Sequence, residues 1–290
     1  MKLRLIAALA TLAATGLIAG CASFGDTLSA SLLFRVRPPD PQRLAGVARM
    51  EDVEEVRITT PDGVVLHGWL KRPPAVRPGG RFPLVIAFGG VARETSWMVG
   101  WREKRADWGW LLINYRGYGL SEGAPSEYAV VEDAKHIFDY AATRSDVDRS
   151  RIVVLGRSLG SYVAVTLAAS RPVAAVILAT PFDSIAAVAG ERFPYLPVGL
   201  LFGGRYDALA LAPAIRLPAL FVIADTDEIT PPVHGQTLMR AWGGPKRLHT
   251  LQDTGHRRVE WRAEYWKQVS AFLDAVPAAQ ITEASRSPGD

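Results

Sequence analysis

The stretch Ile152-Val153-Val154-Leu155-Gly156-Arg157-Ser158-Leu159-Gly160 decides the fold of this 290-residue chain. Its four leading apolar residues predict a buried strand, and the apolar run at 161–169 predicts a buried helix. Ser158 therefore stands at the tip of a sharp strand-to-helix turn, where the backbone is strained. Such a turn has room only for glycine two residues before and after the serine, as at Gly156 and Gly160. The pattern predicts a serine hydroxyl held at a helix N-terminus, which favours nearby negative charge.

Apolar strands alternate with helical segments along the rest of the chain. A hairpin is predicted where two strand-like runs, 53–60 and 64–70, flank the turn Pro61-Asp62-Gly63. Further strands are predicted at 84–88, 110–115, 173–179, 218–224 and 246–251, and helices at 96–108, 127–143 and 259–272. Alternating strands and helices imply parallel pairing, and continuous apolar strands imply a sheet covered on both faces. The predicted fold class is α/β, with a mostly parallel, doubly wound sheet and an antiparallel hairpin at its N-terminal edge.

A base and an acid for the serine are predicted from the ends of two later strands. A serine hydroxyl becomes a nucleophile when a base takes its proton, and a carboxylate orients that base. The strand-turn-helix around Ser158 resembles the nucleophile elbow of alpha/beta hydrolases, and this resemblance implies the chain order Ser, then Asp or Glu, then His. Asp227, just after the strand at 218–224, is the predicted acid, and His256, on the loop after the last strand, is the predicted base. Asp225 is the second candidate for the acid, and Asp183, after the preceding strand, is a third.

Acyl transfer also needs hydrogen-bond donors for the tetrahedral oxyanion. The backbone N–H of Leu159, directly after the serine, is the first predicted donor. The second is the backbone N–H of Gly90, in the turn that follows the strand at 84–88.

These segments resemble the alpha/beta-hydrolase superfamily. The pentapeptide at 156–160 is similar to its nucleophile elbow, and 224–231 is similar to its Gly-x-x-Asp-x-x-Val-Pro pattern with Thr230 in place of Val. The run at 115–123 is similar to its Tyr-Arg-Gly segment, where Asn114 replaces Asp, and Phe88 stands where the oxyanion turn usually has His. The resemblance implies the alpha/beta-hydrolase fold. The sequence has no dinucleotide fingerprint and no clustered metal-ligand motif, so no cofactor and no metal are expected.

The runs at 181–184 and 192–197 are similar to a subgroup of serine hydrolases that contains acylglycerol lipases and protein depalmitoylases. The resemblance implies hydrolysis of carboxylic esters or thioesters through an acyl-enzyme, with an ester, acyl or lipid substrate. Three alternatives stay open: an acyltransferase with the same triad, a peptidase-like amide hydrolase, and a non-catalytic lipoprotein scaffold. A short apolar insertion at about 185–215 lies where the fold carries its cap, and it either packs on the body or lines an acyl pocket. Arg116 is expected to tie loops together.

The N-terminus carries a targeting segment. Lys2 and Arg4 precede an apolar run at 5–18, and Ile18-Ala19-Gly20-Cys21 ends that run with small residues before a cysteine. This resembles the lipobox of bacterial lipoproteins, in which the signal peptide is cut before a cysteine that is then acylated. Cys21 is the chain's single cysteine, so no intramolecular disulfide forms. The alternative is an uncleaved membrane helix, for which the apolar run is short.

The expected organisation is a signal peptide at 1–20, a tether and lead-in at 21–50, a hydrolase domain at 51–276 and a disordered tail at 277–290. The lipobox implies a lipid-anchored protein of the bacterial cell envelope. Since no Asp follows Cys21, the outer membrane is favoured in a Gram-negative host. A formal net charge of only +4, spread along the chain, does not support nucleic-acid binding, and the sequence leaves the oligomeric state open.

Overall fold

An eight-stranded sheet runs through the protein in the order β1-β2-β4-β3-β5-β6-β7-β8. The computed structural model describes residues 33–276 except 75, 77, 78 and 203, so the predicted signal peptide, Cys21 and tail lie outside the described residues. The strands are β1 (Val53–Thr59), β2 (Val65–Lys71), β3 (Phe82–Phe88), β4 (Gly109–Ile113), β5 (Val147–Arg157), β6 (Ala175–Ala179), β7 (Ala219–Ala224) and β8 (Lys246–Leu251).

The sheet is antiparallel at one side and parallel through the rest. β1 pairs with β2 and β2 pairs with β4 in antiparallel fashion, whereas β4, β3, β5, β6, β7 and β8 are all parallel. The predicted hairpin is confirmed: Val53 pairs with Lys71 and Thr59 with Val65, and Gly63 takes a φ of 83° in the connecting turn. The positive φ explains why glycine stands at that turn.

Helices cover both faces of the sheet. They are α1 (Pro41–Ala48), α2 (Glu127–Thr143), α3 (Leu159–Ser170), α4 (Ile185–Arg192), α5 (Val198–Phe202), α6 (Pro232–Ala241) and α7 (Ala263–Asp274). Apolar residues of α2, α3 and α6 pack on one face, and those of α1 and α7 pack on the other. None of the helices in the described part of the chain is long and apolar enough to cross a membrane.

The apolar run of β5 is continuous because both faces of this strand are covered. Ile152 and Val154 enter the core on the face that α2 and α3 cover, while Val153 and Leu155 enter the core beneath α7. All four side chains are fully buried. Alternate residues of a strand point to opposite faces, so a strand covered on both sides needs no polar alternation.

Two predicted helices differ from the structure. The helix expected at 96–108 is a 3-10 helix at Thr95–Lys104, and the helix expected at 259–272 begins as a 3-10 helix at His256–Trp261 before α7. In the first segment Trp101 packs edge-on against Trp97 and Trp266, and Gly100 lowers the helix propensity between them. Packing of these large rings favours short 3-10 turns over a regular α-helix.

Candidate active site

Ser158 lies at the carboxyl end of β5, directly before α3. Its φ of 53° and ψ of −122° are the strained geometry that the sequence predicts. A Cβ on Gly156 would overlap the carbonyl group of Gly160, and a Cβ on Gly160 would overlap the carbonyl oxygen of Phe88. The Ser158 amide donates to the Ala179 carbonyl at 3.0 Å, which ties the turn to β6. The serine is therefore held half-buried at the N-terminus of a helix.

Gly90 lies directly beside this serine. A Cβ on Gly90 would lie 3.5 Å from Ser158 Cβ and 3.8 Å from Ser158 Oγ. Two tyrosine hydroxyls hold the turn: Tyr115 donates to the Gly89 carbonyl at 2.9 Å and Tyr118 donates to the Val91 carbonyl at 2.8 Å. A trans peptide points its C=O and N–H in opposite directions, so the Gly90 N–H points away from Tyr115. Both predicted oxyanion donors, in the Gly90 turn and at Leu159, thus lie next to Ser158.

Asp227 and His256 form a buried pair although 29 residues separate them. His256 Nδ1 lies 2.8 Å from Asp227 Oδ2 and 3.0 Å from Oδ1. The Asp227 Oδ1 atom also accepts backbone N–H groups of Ile229 at 2.9 Å and Thr230 at 2.7 Å. These donors fix the carboxylate, which then fixes the imidazole ring.

Thr230 adds a hydroxyl to this pair, where the family pattern has Val. Its Oγ1 lies 3.0 Å from Asp227 Oδ2, 3.1 Å from His256 Nδ1 and 3.3 Å from the Thr180 carbonyl oxygen. The side chain is buried, so these contacts are shielded from water. Thr230 therefore links the pair to the end of β6.

Arg157 joins the serine turn to the histidine loop. Its Nη2 donates to the His256 carbonyl at 2.8 Å, and its Nε lies 3.1 Å from Glu260 Oε2. Glu228 supports the same loop by accepting the His256 backbone N–H at 3.2 Å. The side chains of Arg157 and Glu260 are only 12% and 8% exposed, so the ion pair is largely desolvated.

The structure brings His256 to Asp227 but does not join Ser158 to His256 by a hydrogen bond. Among the described residues, neither Ser158 Oγ nor His256 Nε2 has a hydrogen-bond partner. Catalytic hydrogen bonds are often loose without substrate, so this geometry is compatible with proton transfer in a complex. Within residues 33–276, apart from the four undescribed positions, no cluster of His, Cys, Asp and Glu has the arrangement of a metal site.

The two alternative acids have other partners. Asp225 accepts the backbone N–H groups of Thr254 and Asp253, both at 3.0 Å, and these hydrogen bonds lower the pKa of its carboxyl group. Asp183 accepts the Ser184 amide at 2.6 Å and lies 2.9 Å from His234 Nδ1. Asp225 therefore shapes the loop before His256, whereas Asp183 pairs with a different histidine.

Arg116 ties loops together, as expected from the sequence. Its guanidinium binds Asp133 of α2 with two hydrogen bonds of 2.7 Å and binds Asp62 in the β1–β2 turn at 2.6 Å. The hydrogen bond from Arg116 lowers the pKa of Asp62, whereas burial raises the pKa of Asp133. Arg116 therefore connects the hairpin to α2.

Sequence reasoning did not assign site roles to four residues: Tyr115, Tyr118, Arg157 and Thr230. Each lies within or beside a motif that the sequence had singled out. Most of their partners lie far along the chain, such as Glu260 for Arg157, although Thr230 also contacts Asp227, three residues before it. The replacement of Val by Thr at 230 was the one visible signal.

Comparison with known proteins identifies the family. Residues 84–198 match the family model described as serine aminopeptidase, S33. An uncharacterized protein of Mycobacterium tuberculosis is 34% identical over 208 residues, which are 71% of this chain and 73% of that protein. The alpha/beta hydrolase domain-containing protein WAV2 of Arabidopsis thaliana is 30% identical over 245 residues, with 76% of this chain and 78% of that protein covered. The chain belongs to the alpha/beta hydrolase family.

Solved structures share the fold of this hydrolase. The acetyl xylan esterase from Paenibacillus sp. R4 has a TM-score of 0.66 at 20% identity, covering 79% of this chain and 86% of that chain. An esterase of Pyrococcus furiosus has a TM-score of 0.60 at 19% identity, covering 83% and 95%. At these identities the likeness shows the fold, and the predicted fold class is confirmed.

Proposed function

We propose that this hydrolase cleaves carboxylic esters through a Ser158, His256 and Asp227 triad and an acyl-enzyme intermediate. The observation that carries the proposal is the buried Asp227–His256 pair, with Nδ1 and Oδ2 2.8 Å apart. Its loop is fastened to the serine turn by Arg157. A serine on a strained turn beside an oriented imidazole is the arrangement that acyl transfer needs.

The reaction begins when Ser158 Oγ attacks the ester carbonyl carbon and His256 Nε2 takes the hydroxyl proton. Asp227 stabilises the resulting imidazolium through Nδ1. The oxyanion receives hydrogen bonds from the N–H groups of Leu159 and Gly90. The intermediate collapses, the C–O bond to the leaving alcohol breaks, and His256 returns the proton to that oxygen. Water, deprotonated by His256, then hydrolyses the acyl-Ser158 ester by the same steps in reverse.

The proposed substrates are acyl or lipid esters, with thioesters as the related class. The insertion between β6 and β7 holds α4 and α5, and α4 has no buried residue. Ile185 and Val188 of α4 pack partly against the core, and the proposal gives the remaining apolar residues of the insertion the role of a wall for an acyl chain. Fold alone does not decide substrate, so the acyl length needs measurement.

A substrate panel tests the proposed function. p-Nitrophenyl esters of two to sixteen carbons, acyl thioesters and aminoacyl p-nitroanilides are compared at equal concentration. We expect hydrolysis of esters and little cleavage of anilides. Preferential cleavage of anilides would instead support the peptidase alternative. Transfer of the acyl group to added glycerol in preference to water would support the acyltransferase alternative, and inactivity on every substrate would favour a scaffold.

The Thr230 hydroxyl is expected to position the Asp227–His256 pair, and a substitution at this residue tests that role. Thr230→Val keeps the side-chain shape but removes the hydroxyl from Asp227 and His256. Loss of one hydrogen bond to a charged group is worth about 1.5 kcal/mol, so kcat should fall about tenfold while KM changes less than about twofold. Steady-state kinetics with a soluble ester measures both. Thr230→Ser should keep most of the activity.

The matched control is Thr237→Val, since that hydroxyl donates to the Val233 carbonyl on α6. Its kcat should equal that of the wild type. An unchanged kcat in Thr230→Val would show that the hydroxyl does not position the pair.

We also propose that Cys21 is acylated after signal cleavage and anchors the enzyme in the bacterial envelope, in the outer membrane of a Gram-negative host. The support is the apolar run at 5–18, followed by the small residues Ala19 and Gly20 directly before the cysteine. Two or more acyl chains hold a protein durably on a bilayer.

Cys21→Ser tests this anchor. In a bacterium with the lipoprotein pathway, the wild type should incorporate labelled fatty acid and sediment with membranes. The serine variant should lose the label and lipoprotein-type cleavage. Undiminished label in Cys21→Ser would overturn the anchor, without bearing on the triad.

A further inference from the structure

Exposed apolar side chains gather at the carboxyl edge of the parallel strands, the same edge as Ser158. They lie in the loop after β4, at the start of α2, in the segment after α4 and at the end of the 3-10 helix that follows β8. We call these six residues the apolar rim: Leu120, Tyr128, Phe193, Tyr195, Leu196 and Trp261. Tyr195 is 97% exposed, Trp261 79% and Tyr128 73%, so these rings contribute little to the core. Large exposed aromatics around a cleft are typical of an interaction surface.

The opposite edge of the sheet lacks such a rim. Of the large hydrophobic side chains that are exposed among the described residues, Met50 lies just before β1 at that edge, and Leu248 lies within the edge strand β8. The apolar surface is therefore concentrated on one end of the molecule.

Exposed arginines accompany the rim. None of them forms an ion pair with a carboxylate among the described residues. They are Arg35, Arg37, Arg93, Arg192, Arg257 and Arg258. Exposed acids lie at this edge as well. Glu191 contacts His234, and Glu228 and Glu122 accept the backbone N–H groups of His256 and Val65. Asp62 pairs with Arg116, and Asp253 is also exposed. Exposed arginines also occur at the other edge, so charge alone does not select a face. A surface that carries exposed aromatics together with arginines is suited to the headgroup layer of a lipid bilayer.

The N-terminal segment joins the protein at the same edge. Phe34 packs against the rings of Tyr115 and Tyr118, with centroids 6.4 and 6.5 Å away. Both tyrosines follow β4 at its carboxyl end. Twelve residues lie between Phe34 and the proposed anchor at Cys21, a reach of at most about 45 Å. The segment that leads to the proposed anchor therefore joins the protein at the edge that carries the rim, rather than at the opposite edge.

We propose that the carboxyl-edge surface, with the apolar rim and its arginines, docks on the headgroup layer of an anionic bilayer. The Ser158 cleft then opens toward the lipid and takes its ester from the membrane. The membrane ester as substrate rests on the proposed function, and the tether rests on the proposed anchor at Cys21. Docking itself is measured by lipid adducts, which depend on neither.

Photocrosslinking in the full chain tests the docking. Benzoylphenylalanine replaces Tyr195 in one protein and Met50 in the control, and each is irradiated on phosphatidylcholine–phosphatidylglycerol vesicles that carry an alkyne-labelled lipid. The rim position should give lipid adducts at least about tenfold more often than position 50. Equal yields at both positions, or adducts at 195 only with a second copy of the chain, would overturn the proposal. A hydrolytically inactive protein with lipid adducts at 195 would reject the proposed function but keep the docking.

Paired arginine variants test the charge. Arg35→Gln with Arg37→Gln removes two cations from the docking face, and Arg81→Gln with Arg149→Gln removes two exposed cations from the opposite edge. Hydrolysis of an ester in phosphatidylglycerol vesicles should fall about tenfold for the first pair and less than about twofold for the second. Both pairs should hydrolyse a soluble ester at the wild-type rate. An equal loss in the two pairs would contradict a specific face.

Discussion

Ser158→Ala is expected to abolish ester hydrolysis and labelling by a fluorophosphonate probe. Removing the nucleophile of a Ser–His–Asp site lowers kcat by several orders of magnitude, so we expect a loss of at least about a thousandfold. The Ala side chain fits the turn without a new contact, because the space facing Gly90 already accepts the serine Cβ. Turnover of p-nitrophenyl acetate and gel detection of the probe measure the two effects.

Ser170→Ala is the matched control for this variant. Its hydroxyl contacts backbone carbonyls near the end of α3, that of Thr166 at 2.9 Å and that of Leu167 at 3.3 Å. This variant should label and turn over as the wild type does. Wild-type hydrolysis by Ser158→Ala would refute the triad, since no other serine is proposed to form the acyl-enzyme.

Asp227→Asn is expected to lower kcat by about a thousandfold to ten-thousandfold, as loss of this carboxylate does in other Ser–His–Asp sites. The amide keeps one oxygen for the backbone N–H groups of Ile229 and Thr230, so the loop should hold its shape. Its NH₂ group would face His256 Nδ1 and favour a proton on Nε2. A protonated Nε2 does not accept the proton of Ser158, and this explains the size of the loss.

Asp225→Asn provides the comparison. Asp225 uses one oxygen for the Asp253 amide and the other for the Thr254 amide, and the variant loses one of these two acceptors. We expect a loss of less than about tenfold, because the remaining hydrogen bond still supports the loop before His256. Circular dichroism checks that both variants are folded. A larger loss in Asp225→Asn than in Asp227→Asn would exchange the roles of the two acids.

The serine turn was predictable because local sequence determines it. Glycine is required at 156 because a Cβ there would overlap Gly160, and at 160 because a Cβ there would overlap Phe88 of the adjoining strand. The apolar run before them is too short for a buried helix, so it predicts a strand. Helix α2 was predicted with its observed bounds, since Ser126 caps its N-terminus by accepting the Ala129 amide. The alternation of strands and helices then fixed the parallel sheet.

Other parts of the site depend on contacts between residues that are far apart in the sequence, and no local sequence pattern encodes these contacts. Arg157 contacts Glu260 across 103 residues, and Tyr118 reaches the carbonyl of Val91 across 27. The 3-10 helix at Thr95–Lys104 was predicted as an α-helix because propensity does not register how large rings pack in three dimensions. The triad itself and the boundary at residue 50 stay predictions.

The position of Phe34 also sets where a shortened protein can begin. A chain that starts at Pro41 keeps every strand and helix described above, yet it loses the ring that covers Tyr115 and Tyr118. Those tyrosines hold the carbonyls on both sides of Gly90. A recombinant form for crystallisation or screening should therefore start before Leu33, because a cut at the first helix removes a piece of the catalytic unit that belongs to no regular element.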